Sequence, residues 1–262
     1  MPTLITLLIA TVALAGLFAA TFVFARRWNN YGIVDVVWAY AFGLLAIFYA
    51  ASGSGWGPRR GLIAAMVCIW SVRLGTHLYH RVRGHHPVED ARYQAMRVLW
   101  AANFGRKMGI FFQQQAVSVV ILGLPFLLIA RNPATEFHIL EIVGVGLWLI
   151  ALLGESLADA QLASFKKNPA NAGQVCDEGL WAHSRHPNYF FEWCVWLGFF
   201  AFACASPWGW TSVICPLGIL YLLLYVTGVP MAEAQSLRSR GDAYRAYQQR
   251  VSAFIPWFTK KS

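Results

Sequence analysis

Residues 3–24 read TLITLLIATVALAGLFAATFVF, without a charged side chain in the stretch. A helix rising 1.5 Å per residue needs about 20 such residues to cross the hydrocarbon, and it bonds its backbone N–H and C=O groups internally. Apolar stretches of the same kind recur at 31–52, 60–80, 109–130, 138–158, 188–205 and 209–228, the last two joined by the turn Ser206-Pro207-Trp208-Gly209. The sequence therefore predicts an all-α, polytopic membrane protein of seven transmembrane helices, a single membrane domain over 1–262.

Composition points the same way. Hydrophobic residues make up 58% of the chain and charged residues 13%, against roughly 45–50% and about 25% in soluble domains. A formal charge of +9 would suit a nucleic-acid partner, but the basic residues lie in gaps between apolar runs and form no RNA-binding motif. Cys68, Cys194, Cys204 and Cys215 fall inside spans and Cys176 in a loop, without CxxC spacing, so neither a disulfide framework nor a zinc site is expected. His77 and His80 are three apart with His85 and His86 following, yet no carboxylate-rich set completes a metal site. No Lys or Arg precedes Arg26, so the first stretch lacks the basic region of a cleaved leader and is read as a retained span.

With the N-terminus outside, the inner loops and tail hold 17 of the 21 basic residues, the outer loops hold Arg59, Arg60 and Arg131, and Arg73 lies within the third span. Cytoplasmic loops carry such an excess, which predicts a cytoplasmic C-terminus and, for a bacterial chain, residence in the inner membrane. The long loops, about 81–108, 159–187 and 229–262, are all on that side.

A charge inside a span costs about 2.5–3.5 kcal/mol on insertion scales, so Asp35, Arg73, Glu155 and Glu192 each need a partner, a wet cavity or a task. Glu155 and Asp159 are four apart and share a helix face, with Lys166 about two turns on. They suit the hydroxyls and amides of a polar ligand, or equally pairing with inner-loop arginines. The segment GLWAHSRHPNYFFE, 179–192, places Pro187 where a first helical turn accepts it, and projects Asn188 and Glu192 from one face beside Arg185 and His186. Free N–H groups at a helix start, with an arginine, suit a phosphate or carboxylate. In the tail, Glu233, Arg238, Arg240, Tyr244, Tyr247 and Arg250 precede Ala-Phe-Ile-Pro-Trp at 253–257. Interleaved tyrosines and arginines can hold a phosphorylated aromatic cofactor, but taken alone they better suit an interfacial helix on anionic lipid. Arg81, Arg83, Arg92 and Tyr93 admit the same two readings.

Three segments together carry a resemblance. Ser-Arg-His-Pro-Asn-Tyr with Glu192, the Glu155-x-x-x-Asp159 pair, and Arg240-Gly-x-x-Tyr244-x-x-Tyr247 followed by Phe254-Ile-Pro resemble the steroid 5α-reductase C-terminal-domain family, in particular its bacterial branch. The resemblance covers about 150–257 and implies that this portion holds NADPH in a cytoplasm-facing cavity while helices in about 1–130 face substrate. It implies reduction of a carbon–carbon double bond conjugated to a ketone. By position, Asn188 and Glu192 would contact the nicotinamide end, and Asp159, Lys166, Arg81, Arg92, Tyr244 and Arg250 the ribose, adenine and phosphates. Glu155, Arg185, His186, Tyr189 and Tyr247 complete the expected cofactor set.

The chain departs from that family in places. Glu155 stands where the family often has asparagine, and Lys166 where it can carry arginine. The Gln-Glu pair and tyrosine with which steroid enzymes polarise the ketone are absent; the second span offers Asp35, Trp38 and Tyr40, the third His77, Tyr79 and His80. Asp35 and Tyr79 are the expected donors to the developing enolate, and the expected substrate is a lipophilic, steroid- or isoprenoid-like enone. An S-adenosylmethionine-dependent methyltransferase is the alternative, since isoprenylcysteine and phospholipid methyltransferases carry a similar Arg-His-Pro-x-Tyr stretch and downstream Glu. The arginine inventory separates the two, because adenosylmethionine carries no phosphate. A small lipophilic substrate and the bilayer are the expected partners, with no nucleic acid and no metal.

Overall fold

The computed structural model describes residues 1–259, and every regular element in them is helical. The α-helices are α1 (Thr3–Trp28), α2 (Ile33–Ser52), α3 (Gly57–His85), α4 (Ala91–Leu99), α5 (Phe104–Leu122), α6 (Leu124–Ala130), α7 (Ile139–Lys167), α8 (Pro187–Ala203), α9 (Ile214–Tyr221) and α10 (Val229–Arg250). Six stretches are long and apolar enough to cross a membrane: α1, α2, α3, Ala101–Ala130, α7 and Gly209–Arg250, the last apolar only in its first half. The chain is an integral membrane protein. α8 is almost wholly apolar but has 17 residues, a rise of about 25 Å.

Several boundaries differ from the sequence reading for physical reasons. The stretch expected as one helix over 109–130 is two, parted at Gly123 because Pro125 has no N–H to continue the ladder. α3 and α7 have 29 residues each and run past the apolar stretch into polar turns that carry Arg81 and Lys166.

The helices pack as two compact units, residues 1–137 with 206–209, and residues 138–205 with 210–259. In the first, α2 lies chiefly against α3. Ser71 Oγ donates to Ala39 O at 2.6 Å and accepts from Gly43 N–H at 3.2 Å, and a Cβ on Gly75 would sit 2.8 Å from the Tyr40 ring. Small residues thus let two membrane helices approach closely, where no hydrophobic force would otherwise press them together. Phe42 and Trp70 fill the remaining space edge to face, with centroids 5.5 Å apart.

In the second unit α7 lies chiefly along α8. A Cβ on Gly144 would meet Phe202 N at 2.7 Å, and one on Gly154 would meet the Phe191 ring at 2.5 Å, so these crossings require glycine. His138 caps α7: its Nδ1 accepts from Leu140 N–H while the Glu141 carboxylate accepts from His138 N–H at 2.8 Å. A π-turn at Leu222–Val226 ends the apolar part of the last stretch. α10 bends at Gly241, whose φ of +53° only glycine adopts readily.

Candidate functional site

In the second unit the polar end of α7 faces the start of α8. Trp181 Nε1 donates to Ala158 O at 2.9 Å and Leu180 N–H to Gln161 Oε1 at 2.9 Å, which ties the 179–186 loop to α7. Asn188 then projects toward α7, and its Nδ2 donates to Asp159 Oδ1 at 3.1 Å. Glu155 is 4% exposed and Glu192 9% exposed. Glu192 Oε1 accepts from Trp196 Nε1, one turn on, at 3.0 Å. The His186 ring stacks on Tyr189 with centroids 5.4 Å apart. Glu155, Asp159, Asn188 and Glu192 are thus three carboxylates and an amide on two neighbouring helices, set to accept from hydroxyl and amide N–H groups.

The tail docks on the same loop. Arg185 Nε donates to Glu233 Oε1 at 2.6 Å, and its Nη1 donates to Gln248 O at 3.0 Å and Val251 O at 2.6 Å. Glu233 Oε2 accepts from Gln248 Nε2 at 2.9 Å, and His186 Nε2 lies 3.5 Å from Glu233 Oε1. The Tyr247 hydroxyl donates to Trp181 O at 2.5 Å, Ser184 Oγ to Phe254 O at 2.8 Å, Arg185 N–H to Ser252 O at 2.8 Å, and Trp257 N–H to His183 O at 2.9 Å. Tyr244 and Tyr247 pack with Val251, Val175 and Leu237 in a small core. Arg250 Nη2 is 3.3 Å from Asp177 Oδ2, an exposed pair. Arg185, Tyr244, Tyr247 and Arg250 therefore hold the tail to the loop, while Lys166 is exposed at the end of α7.

The predicted residues of the first unit form a separate cluster. Asp35, in the first turn of α2, accepts from Arg92 Nη2 at 2.6 Å and the Tyr93 hydroxyl at 2.8 Å, with Arg81 Nη2 at 3.8 Å. Asp90 caps α4 by accepting from the Arg92 backbone N–H and Nε, both at 3.0 Å. Burial works against the ionised Asp90 carboxyl, but the charge and hydrogen bonds of Arg92, with Arg81 behind, outweigh it and hold the carboxyl below its ordinary value. The neighbouring Asp35 charge raises Arg92 above its ordinary value, and burial drives the Tyr93 phenol well above its own. Beside this, Glu89 accepts from Tyr31 N–H at 2.5 Å and from Arg97 Nε at 2.6 Å. Tyr79 is 36% exposed, and its oxygen accepts from Arg83 Nη1 at 3.3 Å.

Three partnerships are not anticipated by the sequence reading, although one of them follows helical spacing. Glu233 as the partner of Arg185 lies 48 positions away, and its only local sign is an acid one turn into a Pro-initiated helix. Trp196 was legible, since it follows Glu192 at helical spacing. Asp35 was read as a donor, and Arg92 and Tyr93 make it an acceptor. Among the described residues no group of three or more His, Cys, Asp or Glu converges to hold a metal.

These features define an all-helical integral membrane protein with buried polar clusters at helix ends. The family model described as Protein of unknown function (DUF1295) matches residues 21–251, which takes in every site residue named above from Asp35 to Arg250, and the chain belongs to that family. It is 25% identical over 256 residues to an uncharacterised protein of Schizosaccharomyces pombe, covering 87% of this chain and 73% of that one. No solved structure matches.

Proposed function

We propose that the protein is an NADPH-dependent reductase of a conjugated carbon–carbon double bond in a lipophilic, steroid- or isoprenoid-like enone. In this reading it crosses a bacterial inner membrane seven times, α8 being the additional crossing, with the N-terminus outside and the C-terminus cytoplasmic. The observation that carries the reading is the acceptor set on α7 and α8, buried Glu155 and Glu192 with half-buried Asp159 and Asn188, in the motif that resembles steroid 5α-reductases.

The donor set fits the cofactor. Carboxylates held by Trp196 and by Asn188 accept from a carboxamide N–H and from ribose hydroxyls, and exposed Lys167 and Arg238 offer cations to phosphates. When bound, NADPH supplies the hydride that reduces the β-carbon of the enone. Glu192 and Asn188 orient the carboxamide, each fixed by its own hydrogen bond. Of the two expected donors to the enolate, Tyr79 keeps a phenol proton to give, because its oxygen accepts from Arg83. Asp35 instead anchors Arg92.

A methyltransferase using S-adenosylmethionine is the second reading, and one observation favours it. Arg185 is engaged by Glu233, Arg250 by Asp177, and Arg92 by Asp35 and Asp90, which reduces the cations left for a bisphosphorylated dinucleotide. Thermal shift of the purified protein in detergent separates the two. NADPH at 100 times its Kd should add about 2.7 kcal/mol of stability, with S-adenosylmethionine silent; the reverse result selects the methyltransferase.

A further inference from the structure

An open apolar groove of about 380 Å³ runs between α1 and α2, lined by Leu17, Ala20, Thr21, Phe24, Ile33 and Val37. The one hydroxyl in its wall adds no polarity, since Thr21 Oγ1 donates back to Leu17 O at 2.7 Å and leaves the methyl to the groove. The α1 wall follows helical spacing, 17, 20, 21 and 24, and the next turn of that face brings Arg27 and Trp28. Arg26 and Arg27 are exposed at this end of α1, and neither side chain bonds a protein acceptor among the described residues. One terminal carbonyl beside them, that of Ala25, is already met by the backbone N–H groups of Asn29 and Asn30. A dry channel along a membrane helix thus ends at the unneutralised guanidinium of Arg27, with that of Arg26 at the same end of the helix.

We propose that this groove is a binding site for an anionic phospholipid, one acyl chain lying along α1 and α2 and the phosphate headgroup on Arg26 and Arg27. Charge complementarity selects the occupant. A neutral lipid would leave two arginines unneutralised at the headgroup level, and a soluble anion would leave the groove uncovered. The site shares no residue with those assigned to reduction, and its test does not depend on turnover.

The full-length protein in an uncharged detergent is titrated with phosphatidylglycerol and with phosphatidylcholine of matched acyl chains, and bound lipid is counted by native mass spectrometry. Phosphatidylglycerol is expected to bind more tightly. Arg26→Gln with Arg27→Gln should weaken it about thirtyfold, the attraction of two surface arginines. Ala20→Trp, at an exposed position that leaves the core untouched, should fill the groove and remove binding of the lipid while keeping the melting temperature of the lipid-free protein. Equal affinity for the two lipids overturns the proposal, as does unchanged binding in Ala20→Trp. A lipid-free dimer that Ala20→Trp converts to monomer also overturns it, since the occupant is then a second copy.

Discussion

Arg185 shows how a residue type can be read correctly and its partner missed. The helix start and the guanidinium suggest an anion, and the anion supplied is Glu233 of the same chain. Both side chains are mostly buried, at 11% and 18% exposure, so removing one leaves the other charge uncompensated. Arg185→Ala is expected to cost stability near the lower end of about 3–5 kcal/mol, measured by denaturant unfolding in micelles. Glu192→Ala should abolish NADPH binding by thermal shift, and intact binding with turnover would remove this site from the reductase reading. Trp196→Phe keeps the packing and deletes one hydrogen bond to Glu192, so NADPH affinity should fall by up to about tenfold.

At the scale of elements, α4 depends on charges that report on pH. The folded Asp90 carboxyl lies below its ordinary value, so its stabilisation is present above the ordinary carboxylate range and is lost as pH falls through the folded value. Amide exchange in Ala91–Leu99 should therefore accelerate on acidification below about pH 4, and Asp90→Asn, which keeps a cap without the charge pair, should flatten that dependence. The apolar periodicity of α1, α2, α3 and α7 was legible because a bilayer demands long uninterrupted runs, whereas the break at Gly123-Leu-Pro125 was passed over because its residues are as apolar as the helices on either side. The polar site was legible only in part. Asp159 and Asn188 sit in recognisable segments, but their bond, and the docking of Ser252, Phe254 and Trp257 on residues 183–185, joins positions 29 to 74 apart that no local pattern links.

For the whole molecule, the three basic residues that break the charge asymmetry have a common explanation. Arg59 donates to the carbonyls of Ala134 and Glu136, Arg60 to those of Ala50 and Gly53, and Arg131 to that of Met1. Each is held by backbone acceptors, so these charges serve loop structure. On the proposed orientation, a green fluorescent protein fused at the C-terminus should fluoresce and an alkaline phosphatase fused there should stay inactive; the opposite pair of results would invert the topology. The docking of residues 251–257 onto the Ser-Arg-His-Pro loop carries a consequence for biosynthesis. Nearly all the hydrophobic segments leave the ribosome before the residues that brace this loop are made. A chain stopped at about residue 243 would keep its membrane helices and lack the residues that brace this loop, so on the reductase reading premature termination near the end is expected to yield a membrane-resident product that does not hold the cofactor.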